Sequence, residues 1–169
     1  MMTSLLRPTP PWLLRFDGMP AEAYELTVRL GQRGVVARVV RGTKMRRYQG
    51  LFDEFGAALQ FPDYFGENWA AFDECLGDLE WLPGEAYALV VTHAEELLVD
   101  EEPDALNTFL RIIEAVASTW ASPIAEGERW DRAAVPFHCV LQARRDGESH
   151  KDLRSLDGVA PLVLDELDG

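Results

Sequence analysis

The chain has 169 residues, 47% of them hydrophobic, with 29 acidic against 16 basic side chains and a formal charge of −13. That length supports one domain with a real core, the acid surplus disfavours nucleic acid and anionic lipid as direct partners, and no apolar run is long enough to cross a bilayer. Two cysteines, Cys75 and Cys139, are too few for a disulfide framework and read as small buried residues with free thiols.

Residues 1–20 read as an irregular arm. Pro8, Pro10 and Pro11 interrupt it, and Trp12, Leu13 and Leu14 offer a docking point. The arm lacks the basic start and long apolar middle of a signal peptide, which predicts a cytosolic protein. Tyr24 to Leu30 and Val35 to Arg41 are strand-like, and Gly31 and Gly34 frame a short turn between them, so a hairpin is expected. Lys44 to Gln60 reads as a helix, because Tyr48, Leu51, Phe52, Phe55, Ala58 and Leu59 recur at three- and four-residue steps. After a turn through Pro62, Glu67 to Leu79 reads as a second helix with Trp69, Phe72, Leu76 and Leu79 on its buried face. Tyr87 to Thr92 is an unbroken apolar run, as in a strand covered on both faces.

A short helix is expected from Ala94 to Leu98 and a long one from Pro103 to Ala117, since proline suits a first helical turn. Ser118 to Ala134 reads as a loop holding Trp120 and Trp130, and Val135 to Leu141 as the last clear strand. Arg144 to Gly169 is polar, then ends in Ala160-Pro161-Leu162-Val163-Leu164, either an extra edge strand or a tail. Alternating strands and helices predict a two-layer α/β domain over residues 21–142. Its sheet has three parallel strands packed with helices and an extra N-terminal hairpin strand; residues 143–169 form an extension.

Charge is distributed very unevenly. Between Tyr48 and Leu110 there is no Lys or Arg, and there are fifteen carboxylates; the remaining residues hold 14 acids against 16 bases. The same stretch contains Phe61, Tyr64, Phe65, Trp69, Phe72 and Trp81, so it belongs to a fold rather than to a solvated tail. A folded, purely acidic surface suits a basic protein partner. Trp81 is either an interface aromatic or a core anchor.

Catalytic candidates are thin. His93 follows a strand and reads as a helix cap. His138 and Cys139 are strand neighbours, whose side chains point to opposite faces and do not chelate one metal. The chain has no nucleophile elbow, phosphate-binding glycine loop or zinc-protease helix. No enzymatic role, metal or cofactor is expected.

Helical spacing puts Ala70, Asp73, Glu74 and Gly77 on the face opposite Trp69, Phe72 and Leu76. Carboxylates there stand beside small residues, so a partner can approach closely. Cys75 neighbours the apolar side and is expected to point inward. The preceding turn offers Tyr64, a side-chain type enriched in interface hot spots. Gly66 is expected to take a turn conformation that other residues resist, and Asn68 or Glu67 to cap the helix.

Phe61-Pro62-Asp63-Tyr64-Phe65-Gly66-Glu67-Asn68-Trp69, followed by Asp73-Glu74-Cys75-Leu76, resembles the signature of the barstar family, bacterial inhibitors of barnase-type ribonucleases. The resemblance extends over roughly Val35 to Leu141; Val39-Val40-Arg41-Gly42 resembles the end of the family's first strand. It implies a barstar-like fold that blocks a basic ribonuclease or nuclease toxin without chemistry, the free protein being a monomer. It further implies that Tyr64 is the loop contact, that Glu74 holds the position of the family's most important aspartate, that Gly66 and Asn68 shape the turn, and that Glu114 is the glutamate of the last long helix. Two positions differ from the pattern. Ala70 stands where an acid usually follows Asn-Trp, and Asp73 where an aromatic usually precedes the key aspartate. These differences imply a cognate other than barnase itself. They also motivate the alternative of a non-inhibitory acidic interaction module on the same fold.

Overall fold

The computed structural model describes residues 2–144, 156 and 158–162. Its centre is the unbroken apolar run Tyr87–Thr92, a strand with every residue buried. In chain order the strands are β1 (Leu13–Asp17), β2 (Val36–Arg41), β3 (Tyr87–Thr92), β4 (Phe137–Ala143) and β5 (Ala160–Pro161). They form one sheet in the order β2-β3-β4-β1-β5, and every pairing is parallel. The helices are α1 (Met2–Leu5), α2 (Pro20–Gln32), α3 (Tyr48–Leu59), α4 (Trp69–Asp78) and α5 (Ala105–Ala121), with 3₁₀ turns at Gly42–Lys44 and Ala94–Glu96.

The pleat sends alternate residues to opposite faces, and both faces are covered. On one, Leu89, Val91, Phe137, Cys139 and Leu141 meet Phe52, Phe55, Phe72, Leu76, Phe109 and Ile113 from α3, α4 and α5. On the other, Ala88, Val90 and Val140 meet Leu5, Leu14, Phe16 and the α2 residues Ala23, Leu26 and Leu30. The α/β class and the parallel sheet are as expected. The sheet has five strands rather than three, and α2 adds a layer on its second face.

The expected hairpin strand Tyr24–Leu30 is helix α2 instead. Its residues alternate apolar and polar, which mimics a strand, but Tyr24 and Val28 are 48% and 60% exposed while Ala23, Leu26 and Leu30 are buried. The buried set keeps helical three- and four-residue steps, and tertiary packing decides between the two periods. Pro20 fits the first turn, and Glu22 accepts a hydrogen bond from the Met19 N–H at 2.7 Å. Within the expected arm, Leu13–Asp17 is strand β1, paired with β4 on one side and β5 on the other. Its prolines end just before it, where no ladder bond is lost.

Other boundaries shift for local reasons. The helix expected from Lys44 begins at Tyr48, because Gly42–Lys44 is a separate 3₁₀ turn. Ala94–Glu96 is likewise 3₁₀. Pro103 and Asp104 form a turn ahead of α5, which runs on to Ala121. Trp120 is therefore helical, not in a loop; it continues the stripe Ile113, Val116, Ala117, and its indole N–H donates to the Leu76 carbonyl at 2.9 Å. The strand expected at Val135–Leu141 is displaced to Phe137–Ala143. Both cysteines are buried and unbridged. Of the C-terminal stretch, Ala160–Pro161 is an edge strand on β1; Val163-Leu164 lies outside the described residues. Among the described residues no helix is long and apolar enough to cross a membrane.

Candidate protein-docking site

The motif segment owes its shape to aromatic packing. Phe61 and Phe65 stack edge-on to one another at 4.9 Å, Phe65 meets Phe52, and Phe61 meets Phe72 and Trp81. Trp69 lies against Tyr48, Phe52 and Phe72 with ring centroids 5.4–5.7 Å apart. Such pairs each add about 0.5–1.5 kcal/mol beyond area burial. Trp69 is half-buried rather than fully buried, and Trp81 is a core anchor, its indole N–H donating to the Leu59 carbonyl at 2.9 Å. With Phe61 and Phe65 turned inward, Tyr64 between them faces out at 71% exposure.

Asn68 caps α4. Its side-chain oxygen accepts from the Ala71 N–H at 2.9 Å, and its amide donates to the Gly66 carbonyl at 3.1 Å. The left-handed residue of this turn is Glu67, with φ of 49°, and not Gly66. What Gly66 supplies is space: a Cβ there would sit 3.1 Å from the Asn68 amide nitrogen. The capping assignment thus falls on Asn68, and the expectation of a special conformation at Gly66 is corrected.

Beyond the cap, Phe72, Cys75 and Leu76 are buried, while Ala70, Asp73, Glu74, Gly77 and Asp78 are exposed. A Cβ on Gly77 would meet nothing within 4 Å. The outer face thus sets Asp73 and Glu74 between the small residues Ala70 and Gly77, with Asp78 beyond them, open to close approach. The Tyr64 phenol is pushed above its ordinary value, first by lost hydration and then by negative charges that include Asp78, Glu74 and Glu80. Burial, then Glu74 and Asp78, push the Cys75 thiol up as well. Asp78 and Glu80 were missed in the sequence, although Asp78 follows Glu74 by one helical turn.

Glu114 is exposed on α5. It lies roughly 140° around the helix from Phe109, the residue that stacks on Phe72 of α4. It lines a separate surface recess with Leu13, Leu110, Arg111 and Val159.

Not all of the acidic stretch is free surface. Arg41 binds Glu54 through its Nε and Nη2 and donates its backbone N–H to the same carboxylate. Arg46 clamps Asp100 at 3.0 Å and Glu96 at 2.8 Å. Glu101 accepts from the Tyr48 N–H at 3.1 Å, and Glu102 accepts from the Tyr48 hydroxyl. Burial and then the Glu102 bond push that phenol up to about 12. By contrast, Asp63, Glu67, Asp73, Glu74, Asp78 and Glu80 make no ion pair among the described residues.

His138 is fully buried, its Nε2 donating to the Thr9 carbonyl at 3.3 Å and its Nδ1 unpartnered. His93 has φ of 48° and gives its backbone N–H to Gln142. Among the described residues no group of His, Cys, Asp and Glu is arranged to hold a metal ion.

The molecule is a parallel α/β domain with a capped acidic helix laid over an aromatic bed and an exposed tyrosine on the turn before it. Comparison with protein families matches residues 35–142 to Barstar (barnase inhibitor). The chain belongs to the barstar family, a family of inhibitors. A search of curated proteins found no match.

Proposed function

We propose that this protein sequesters a basic ribonuclease or nuclease toxin by docking the α4 face, with Tyr64, into its active site. The observation that carries this is the row of unpaired carboxylates Asp73, Glu74 and Asp78 on the exposed side of a helix whose other side is core. Carboxylates so placed stand in for substrate phosphates before Arg, Lys and His groups of the enzyme. Docking uses no chemistry of its own, so affinity rests on desolvated anchors such as Tyr64 and Glu74. Gly66 and Asn68 hold the turn in shape. Ala70 and Gly77 admit the partner's chain, and Asp73 adds a charge at an angle of its own.

Ala70 leaves one cation of the usual enzyme without a partner, and a buried unpaired charge is costly. Recognition is therefore tuned to a cognate that lacks that cation. The test is ribonuclease activity of a panel of barnase-type enzymes titrated with the chain. At least one enzyme is expected to lose activity at one-to-one stoichiometry, with association slowing as salt rises. Full activity of every enzyme at excess chain, with capture of only non-nuclease proteins from the native cell, would instead favour the acidic interaction module.

A further inference from the structure

We propose that Trp130, held out on the loop between α5 and β4, is a second anchor for the basic protein that docks on α4. This rests on the inhibitor reading and adds a contact outside the motif. Trp130 is 55% exposed, an unusual position for the largest apolar side chain. The loop that carries it is tightly fixed. The Asp131 carboxylate accepts the backbone N–H groups of Glu126 at 2.9 Å and Gly127 at 2.8 Å, and the Trp130 indole donates to Glu126 at 3.1 Å. Ile124 and Arg132 pair across the loop as an antiparallel bridge.

Arg132 ties this loop to the C-terminal end of α5. Its guanidinium donates to the carbonyls of Trp120, Ser122, Ala133 and Thr119 and lies 4.6 Å over the Trp120 ring. The Trp120 indole in turn bonds to Leu76 of α4, next to Gly77. The loop is therefore braced on the end of α5 that bonds to α4. A rigid indole loses little conformational entropy on binding, which is what makes such a side chain a strong anchor.

Charge selects the occupant. The loop exposes Glu126, Glu128 and Asp131 around the indole, with Arg129 as its free-standing base and Arg132 committed to carbonyls. The Asp131 carboxyl is held below its usual range, first by the Glu126 N–H, so it stays ionised. An exposed indole with a carboxylate bonded to its edge, on a loop of net negative charge, takes an Arg or Lys side chain, the stem against the ring and the cation over its face. That is the chemistry of the same basic partner.

The test uses the barnase-type ribonuclease that wild-type chain binds most tightly in the panel, with affinities measured by calorimetry. Trp130→Ala is expected to weaken binding at least about tenfold, while Trp130→Phe stays within about threefold and Tyr24→Ala, across the sheet, is neutral. Thermal melts of each variant check that the loop change leaves the fold intact. Unchanged affinity in Trp130→Ala, with losses in Tyr64→Ala and Glu74→Gln, overturns the second anchor and leaves the inhibitor reading standing. No loss in any of these variants, or no binding enzyme in the panel, overturns both.

Discussion

The α4 face and the loop from Glu95 to Asp104 have the same sequence character, dense acid without a base, yet they do different things in the fold. In that loop, Glu96, Asp100, Glu101 and Glu102 are used internally. Arg46, which precedes the acidic stretch by only a few residues, folds back to hold Glu96 and Asp100, and Tyr48 takes Glu101 and Glu102. On α4 and its flanks, Asp73, Glu74, Asp78 and Glu80 keep their charge for the outside. A run of like charges in sequence is thus not yet a charged surface. What matters is which acids the neighbouring cations can reach once the chain has folded. Exposed pairs of the Arg46 kind contribute little to stability, but they do remove charge from the field a partner sees.

The largest expected effect removes the bed beneath the face. Phe72 is fully buried and stacks on Phe55, Phe61, Trp69 and Phe109. Phe72→Ala should cost about 3–5 kcal/mol in denaturant unfolding and abolish docking with it. Next come the anchors: Tyr64→Ala should weaken binding to a panel ribonuclease more than about tenfold, whereas Glu101→Gln should change it less than about twofold. Equal losses would mean that the charge acts diffusely and that the two regions do not differ. Removing the cap, Asn68→Ala, should cost about 1 kcal/mol of stability and loosen the turn that presents Tyr64.

A smaller effect comes from the far side of the sheet. Burial holds His138 below its ordinary 6.5, partly offset by the Thr9 carbonyl. Between that ordinary value and the lower folded one, the unfolded chain binds more protons than the folded chain. Stability from this group is full above the window and falls as pH drops through it. His138→Leu should flatten that slope in urea melts taken across the window, and an unchanged slope would refute the assignment. Smallest of all, Arg46→Gln should lower the melting temperature only slightly, while leaving Glu96 and Asp100 as new unpaired charges.

Much of this was legible in the sequence. Tyr87–Thr92 was found because six apolar residues in a row have one common use in an α/β chain, and the motif found α4 and its outer face. What was illegible depended on partners distant in sequence. The alternation of Tyr24, Leu26, Val28 and Leu30 fits a strand until the sheet face selects Ala23, Leu26 and Leu30. Leu13–Asp17 needs β4, over a hundred residues later, to become a strand. The direction in which Glu114 faces depends on the rotation of α5, which Phe109 and Trp120 set by packing on α4. Asp78 and Glu80 carry no motif of their own, and their exposure at the end of α4 appears only once the helix is packed.

The most direct measurement compares two double variants that remove the same charge from the two acidic regions, Asp73→Asn with Glu74→Gln and Glu101→Gln with Glu102→Gln. Both are titrated by calorimetry against the ribonuclease that wild type binds best, at one ionic strength. The expected result is a loss of more than about a hundredfold for the α4 pair and less than about threefold for the loop pair. Equal losses, or a greater loss for the loop pair, would contradict docking through the α4 face.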